Sequence, residues 1–131
     1  IMKFIASNGN GWVEILSFSD EHGYESFSLE SHIDLGHSQF KARNSDLCFL
    51  NWPDFSKDLN DFILNRSIQP QLLGTYDSYV KLHSSGNSVY LDFCVGSAYC
   101  CTSTLEYSSK GAFEVSQEHF SSAAAEAATY A

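Results

Sequence analysis

The chain has 131 residues, 44% of them hydrophobic and 15% aromatic, which is typical of a globular protein, and we expect a single domain over residues 1–131. Sixteen acidic residues against seven basic ones leave a formal net charge of −9. Because phosphate contacts need clustered Lys and Arg, this charge argues against nucleic acid as a partner and, equally, against an anionic membrane surface. A basic protein partner and a neutral ligand stay open.

Alternation of apolar and polar residues predicts four strands in the first third of the chain. The strongest pattern lies in residues 11–19, where Val13 and Ile15 alternate with Glu14. Polar turns that contain glycine separate the second strand from the third and the third from the fourth. The four predicted strands cover residues 2–7, 11–19, 24–33 and 37–43.

The period then changes to that of an amphipathic helix. Apolar residues fall at i, i+4, i+7 and i+8, at Phe55, Leu59, Phe62 and Ile63. We expect this helix to begin near Asn51 and Pro53, because proline is tolerated in a first helical turn, and to end near Asn65.

Strands resume in the second half of the chain, and a helix closes it. The predicted strands cover residues 76–83, 88–96 and 98–107, with turns at 84–87 and 108–111. Phe113 and Val115 add a short strand or lead into the last helix, for which Ser116 is a good N-cap. That helix carries one aromatic and several small residues on one face, at Phe120, Ala123, Ala124 and Ala127.

The resulting order is β-β-β-β-α-β-β-β-α, in which a βββα order recurs faintly in the two halves. Runs of strands joined by short turns predict antiparallel pairing, since parallel strands need long crossovers. We therefore expect an α+β fold: one antiparallel, twisted sheet of about six or seven strands with two helices packed on one face. The open edges of such a sheet could pair two copies into a homodimer.

Acidic residues form the clearest candidate for a binding surface. Asp54, Asp58 and Asp61 stand at i, i+4 and i+7 of the first helix and share one stripe beside the apolar one. Such a stripe is either an ordinary solvated helix face or a ridge offered to a basic partner. A second acidic group surrounds a predicted turn, at Asp20, Glu21 and Glu25, and ordinary turn chemistry explains it as well as recognition does.

The aromatic residues allow a different interpretation. Trp12, Trp52 and several tyrosines make the chain rich in aromatic rings. A row of exposed rings on a sheet could stack on sugars, whereas packing in the core explains the same residues equally well. A non-catalytic, carbohydrate-binding module is therefore the alternative function.

No motif of catalysis or metal binding occurs, so we predict neither an enzyme nor a metal or cofactor site. The histidines are scattered, although His32 and His37 flank Asp34. The cysteines lack C-x-x-C spacing, and we expect buried free thiols at Cys48, Cys94, Cys100 and Cys101. No secretory signal or membrane-spanning apolar run is recognised, so the expected location is the cytoplasm.

The order of elements and the acidic charge resemble those of small bacterial immunity proteins, which neutralise toxins of polymorphic and contact-dependent growth inhibition systems. Such families often carry Gly-His-Val where this chain reads Gly86-Asn87-Ser88-Val89. The resemblance implies a cytoplasmic protein that binds a cognate toxin domain stoichiometrically, over its active site or at an exosite. It implies no catalytic residues. A basic, nuclease-type toxin would associate quickly with an acidic inhibitor through electrostatic steering.

Overall fold

The structure, a computed structural model, describes residues 2–19, 25–99 and 105–129. These residues form eight strands, two helices and a short 3-10 turn at Thr75–Asp77. The strands are β1 (Met2–Ile5), β2 (Gly11–Ser19), β3 (Glu25–Asp34), β4 (Gln39–Leu47), β5 (Gln71–Leu73), β6 (Tyr79–Ser85), β7 (Ser88–Tyr99) and β8 (Leu105–Glu114). The helices are α1 (Trp52–Phe62) and α2 (Gln117–Thr129). Neither helix is long and apolar enough, within its described residues, to cross a membrane.

The α+β class and the antiparallel pairing are confirmed, but the single sheet of six or seven strands is wrong. The strands form two four-stranded sheets, β1-β2-β3-β4 and β5-β6-β7-β8, each a simple antiparallel meander. One open sheet with two helices on one face would leave much of a long apolar surface uncovered. Two shorter sheets bury their apolar residues in one shared core.

Two local predictions in the second half are also wrong. β5 has only three residues, with Leu72 alone buried, so it carries too little alternation to be recognised. The turn predicted at residues 108–111 lies inside β8, where Gly111 pairs with Phe93 of β7. The predicted strand 98–107 therefore spans the end of β7 and the start of β8, and the residues between them lie outside those described.

The two halves of the chain have the same pattern of four strands followed by a helix. The two places where the sheets join also have matching contacts. Ala6, just after β1, bridges Val115, just after β8. Phe49, just after β4, bridges Gly74, just after β5. Two backbone hydrogen bonds flank each bridge. Around the first, Ser7 N donates to Glu114 O (2.8 Å) and Ser116 N donates to Ile5 O (2.8 Å). Around the second, Thr75 N donates to Cys48 O (3.0 Å) and Leu50 N donates to Leu73 O (2.8 Å). The fold therefore has pseudo-two-fold symmetry.

The helices are exchanged between the halves. The α1 backbone lies against α2 and β5, whereas the α2 backbone lies against α1 and β1. The ring of Phe62 on α1 meets Phe120 on α2 edge to face, with centroids 5.5 Å apart. Of the predicted apolar stripe, Phe55, Leu59 and Phe62 are fully buried, and Ile63 lies just beyond the last helical residue and is exposed. The core between the sheets thus depends on both helices and both halves.

Candidate functional site

The acidic stripe predicted on the first helix exists and borders a groove between α1 and β5. Asp54 occupies the first helical turn, where the helix dipole favours a carboxylate. Asp54 and Asp58 line the groove together with Lys57 and Leu73, and its volume is about 390 Å³. The groove thus combines two carboxylates, one ammonium group and an apolar side chain.

Charge along this stripe is unevenly compensated. The Lys57 ammonium lies 3.3 Å from the Asp61 carboxylate, one helical turn away, in an exposed pair of the kind that adds little stability. Among the described residues, no cation lies within ion-pair distance of Asp54 or Asp58. These two carboxylates are therefore the ones available to a partner.

The side chain of Asn51 holds α1 against β5. Its amide nitrogen donates to the carbonyl oxygen of Gln71 at 2.7 Å, and its carbonyl oxygen accepts from the Leu73 amide at 2.9 Å. Asn51 therefore completes the edge of β5 as a short strand would, instead of capping the helix. This bidentate contact fixes the width of the groove.

Most of the second predicted acidic group lies outside the described residues. Asp20 and Glu21 lie outside the described residues. Glu25 is the first residue of β3 and pairs with Ser19, and its side chain is also outside the description.

A larger cleft, which the sequence did not predict, lies on the outer side of the second sheet. Its volume is about 540 Å³. The strands β7 and β8 present small side chains to it, namely Cys94, Ala98 and Ser108. The 3-10 turn borders it with Tyr76 and Asp77, and larger polar or aromatic residues complete the lining: Tyr79, Glu106, Tyr107 and Lys110.

Two consecutive residues of this turn adopt the left-handed backbone region. Tyr76 and Asp77 both have φ of 58°, a conformation that non-glycine residues rarely take. Such strain costs about 1–3 kcal/mol per residue and persists only where the surrounding structure enforces it. Here the turn is closed by hydrogen bonds from Gly74 N to Ser78 O (2.8 Å) and from Ser78 N to Thr75 O (3.1 Å).

A buried polar network anchors the turn to the sheets. The Gly96 amide donates to the Ser78 hydroxyl at 3.0 Å, and Asn44 of β4 donates its side-chain amide to the Gly96 carbonyl at 2.7 Å. Both Ser78 and Asn44 are buried. The strained turn is thus joined to β7 and, through Asn44, to the first sheet.

The remaining candidates form no reactive centre in the part of the chain that is described. His32 lies 3.1 Å from Glu30 and stacks on Trp12 at 4.0 Å, while Asp34 accepts the Gly36 amide at 2.8 Å. No group of three His, Cys, Asp or Glu residues within the described ranges could hold a metal ion. Lys3 also stands over the Trp12 ring, at 4.5 Å.

Two of the four cysteines fall within the description, and both are free thiols. The expectation of buried thiols is confirmed for Cys94 and wrong for Cys48, which is exposed; Cys100 and Cys101 lie outside the described residues. Burial raises the pKa of the Cys94 thiol, while the positive charge of Lys110 opposes the shift. A protonated, buried thiol is a poor nucleophile.

We predict that iodoacetamide at about pH 8 modifies Cys94 at least about tenfold more slowly than Cys48, because only the thiolate of an accessible cysteine reacts. The experiment uses the Cys100→Ser/Cys101→Ser variant and mass spectrometry of each peptide over time. Since the pKa of Cys94 is raised, its reaction should accelerate only as pH rises above the ordinary cysteine range. Equal rates at Cys48 and Cys94 in the folded protein would contradict the assignment.

No protein family, curated protein or solved structure matches the chain. The class that the structure defines is a pseudo-symmetric α+β protein of two four-stranded meanders with exchanged helices. Its candidate sites are the groove between α1 and β5 and the cleft beside the strained turn.

Proposed function

We propose that the chain is an immunity protein that binds a basic, nuclease-type bacterial toxin domain through the face formed by α1 and β5, and neutralises it stoichiometrically. The observation that carries the proposal is the combination of free carboxylates and exposed leucines on this face. Leu50, just before α1, is 73% exposed, and Leu73, to which its backbone is hydrogen-bonded, lines the groove beside Asp54. Exposed apolar residues that accompany polar ones are typical of protein interfaces.

The leucines and the acids would contribute differently to such a complex. Leu50 and Leu73 are adjacent, since the Leu50 amide donates to the Leu73 carbonyl at 2.8 Å. Apolar side chains that become desolvated in an interface slow dissociation. Asp54 and Asp58, which have no cation within ion-pair distance among the described residues, attract a basic surface during association. The net charge of −9 extends this attraction over the whole molecule.

The acids give the sharpest test. We expect Asp54→Lys/Asp58→Lys to lower the association rate with the toxin about tenfold or more at low salt, and to weaken the dependence of that rate on salt. The partner is first recovered from host lysate with the tagged chain, identified by mass spectrometry and produced alone. Stopped-flow association and growth rescue in cells that express the toxin then measure binding and neutralisation.

Glu14→Lys/Glu114→Lys is the matched control, because it changes the net charge by the same amount at exposed or half-exposed positions of β2 and β8. This control should reduce association only slightly. Leu50→Ala should raise the dissociation rate and leave association nearly unchanged. If both charge variants slow association equally, or if the recovered partner is acidic, the α1–β5 face is not the interface.

A further inference from the structure

We propose that the cleft beside the strained turn is a binding site for a neutral saccharide of about two sugar units. The cleft shares no lining residue with the α1–β5 groove, so the proposal does not depend on the inhibitor function. Its volume of about 540 Å³ lies within the range of small-molecule sites. Four features of the cleft argue for this ligand class: its shape, its charges, its aromatic rings and its strained wall.

The shape of the cleft follows from the register of β7 and β8. Cross-strand neighbours on this face are Cys94 with Lys110, Gly96 with Ser108, and Ala98 with Glu106. The carbonyl of Tyr76 covers Gly96 and forms one wall, while the small side chains of Cys94, Ala98 and Ser108 keep the floor beside it low. The sheet surface is therefore depressed between Lys110 and Glu106, with polar groups at both ends of the depression. A flat, compact molecule that forms hydrogen bonds at both ends suits this shape.

The charged groups of the cleft are of both signs, which argues against a strongly charged ligand. Asp77 and Glu106 supply two carboxylates, and Lys110 supplies an ammonium group. A second ammonium group, that of Lys81, stands 4.4 Å over the ring of Tyr79, which also lines the cleft. With Lys81 at its border, the cleft has charges of both signs around it, which favours neither a strong anion nor a strong cation. Carboxylates accept and ammonium groups donate hydrogen bonds, and hydroxyl groups can satisfy both.

Aromatic rings provide the apolar part of the site. Tyr76 is 39% exposed, and Tyr79 lies opposite Cys94 in the pairing of β6 with β7, on the face that lines the cleft. Tyr107 borders the cleft but pairs with Ser97, so its ring belongs to the other face of the sheet. Trp12, on the other sheet, contacts His32 and Lys3 instead. Tyr76 and Tyr79 can therefore cover the C–H face of a sugar ring and still offer their hydroxyl groups.

The turn that forms one wall of the cleft is strained, so the surrounding structure must hold Tyr76 in its position. Relaxing the turn would need only glycine at residues 76 and 77, yet the chain places a tyrosine and an aspartate there, both with φ of 58°. The Ser78–Gly96–Asn44 network holds this conformation from beneath. Strained backbone of this kind concentrates at ligand sites. The turn thus presents an aromatic ring and a carboxylate together at the rim of the cleft.

The test is saturation-transfer NMR with a panel of neutral disaccharides: maltose, cellobiose, lactose and N,N′-diacetylchitobiose. Glucose 6-phosphate and glucosamine serve as anionic and cationic probes. We expect at least one neutral disaccharide to receive saturation, and both charged probes to bind more weakly. Tyr79→Ala should weaken binding at least about tenfold, since it removes a ring on the face that lines the cleft. Trp12→Ala, the matched loss of a ring on the other sheet, should leave binding unchanged.

Tyr76→Gly separates binding from folding. Glycine relieves the left-handed strain, so the variant should unfold at a temperature no lower than the unaltered chain, yet bind the disaccharide at least about tenfold more weakly. The absence of saturation for all four neutral disaccharides would overturn the proposal. So would binding that survives Tyr79→Ala and Tyr76→Gly, or stronger binding of either charged probe.

Discussion

Gly96→Ala is expected to destabilise the protein by about 3 kcal/mol or more, because overpacking of a site enclosed by backbone cannot be relieved by a rotamer change. A Cβ atom built on Gly96 would overlap the carbonyl oxygen of Tyr76. That oxygen belongs to the strained turn, which is tied back to Gly96 through Ser78. Any movement of the turn therefore weakens the hydrogen bond that fixes it.

Urea denaturation followed by circular dichroism measures this effect as a change in the free energy of unfolding. Ser97→Ala is the control, because Ser97 is the next residue and exposed, and its change should stay within about 0.5 kcal/mol. A Gly96→Ala protein as stable as this control would show that the turn does not press on β7. The saccharide site would then lose its fixed wall.

Phe62→Ala is expected to cost about 3–5 kcal/mol, as truncation of a buried aromatic residue generally does. Phe62 is fully buried and contacts Phe120 edge to face, and the guanidinium group of Arg66 lies 4.7 Å from its ring centre. Because this contact joins α1 to α2, the loss should weaken both halves of the molecule together.

Two probes of unfolding distinguish a shared core from two separate ones. Tryptophan fluorescence reports on Trp12 and Trp52 in the first half, and far-ultraviolet circular dichroism reports on both sheets. Both transitions should shift to lower urea by the same amount in Phe62→Ala. Ile63→Ala, at the exposed end of α1, should change stability by less than about 1 kcal/mol. Separate transitions for the two probes would mean that the halves unfold independently.

The sequence predicts α1 well because the helical signal is local. Phe55, Leu59 and Phe62 mark the buried face without reference to any other part of the chain. The same holds for β2, whose predicted and observed bounds agree, and for the hairpin between β6 and β7, in which Gly86 has a positive φ. Acidic residues on α1 are equally visible, since their stripe follows from the helical period.

The division into two sheets and the cleft depend on information that is not local. β5 is a strand only because Asn51 and β6 pair with it from either side. The left-handed turn at Tyr76 carries no glycine to mark it. The contact that requires Gly96 joins residues twenty positions apart. The sequence analysis did not use Gly96, although a glycine inside a strand often marks a close approach of backbone and could have pointed toward the cleft.

The exchange of helices has a consequence for synthesis on the ribosome. When α1 leaves the exit tunnel, its main backbone neighbours cannot yet pack on it, because β5 is still inside the tunnel and α2 has not been made. The apolar face of Phe55, Leu59 and Phe62 therefore stays uncovered until the second half of the chain emerges. In the same way, β1 stays without its helix until α2 has been made. We conclude that the core can close only after translation reaches α2, so a nascent chain truncated before that helix exposes the surface that chaperones recognise.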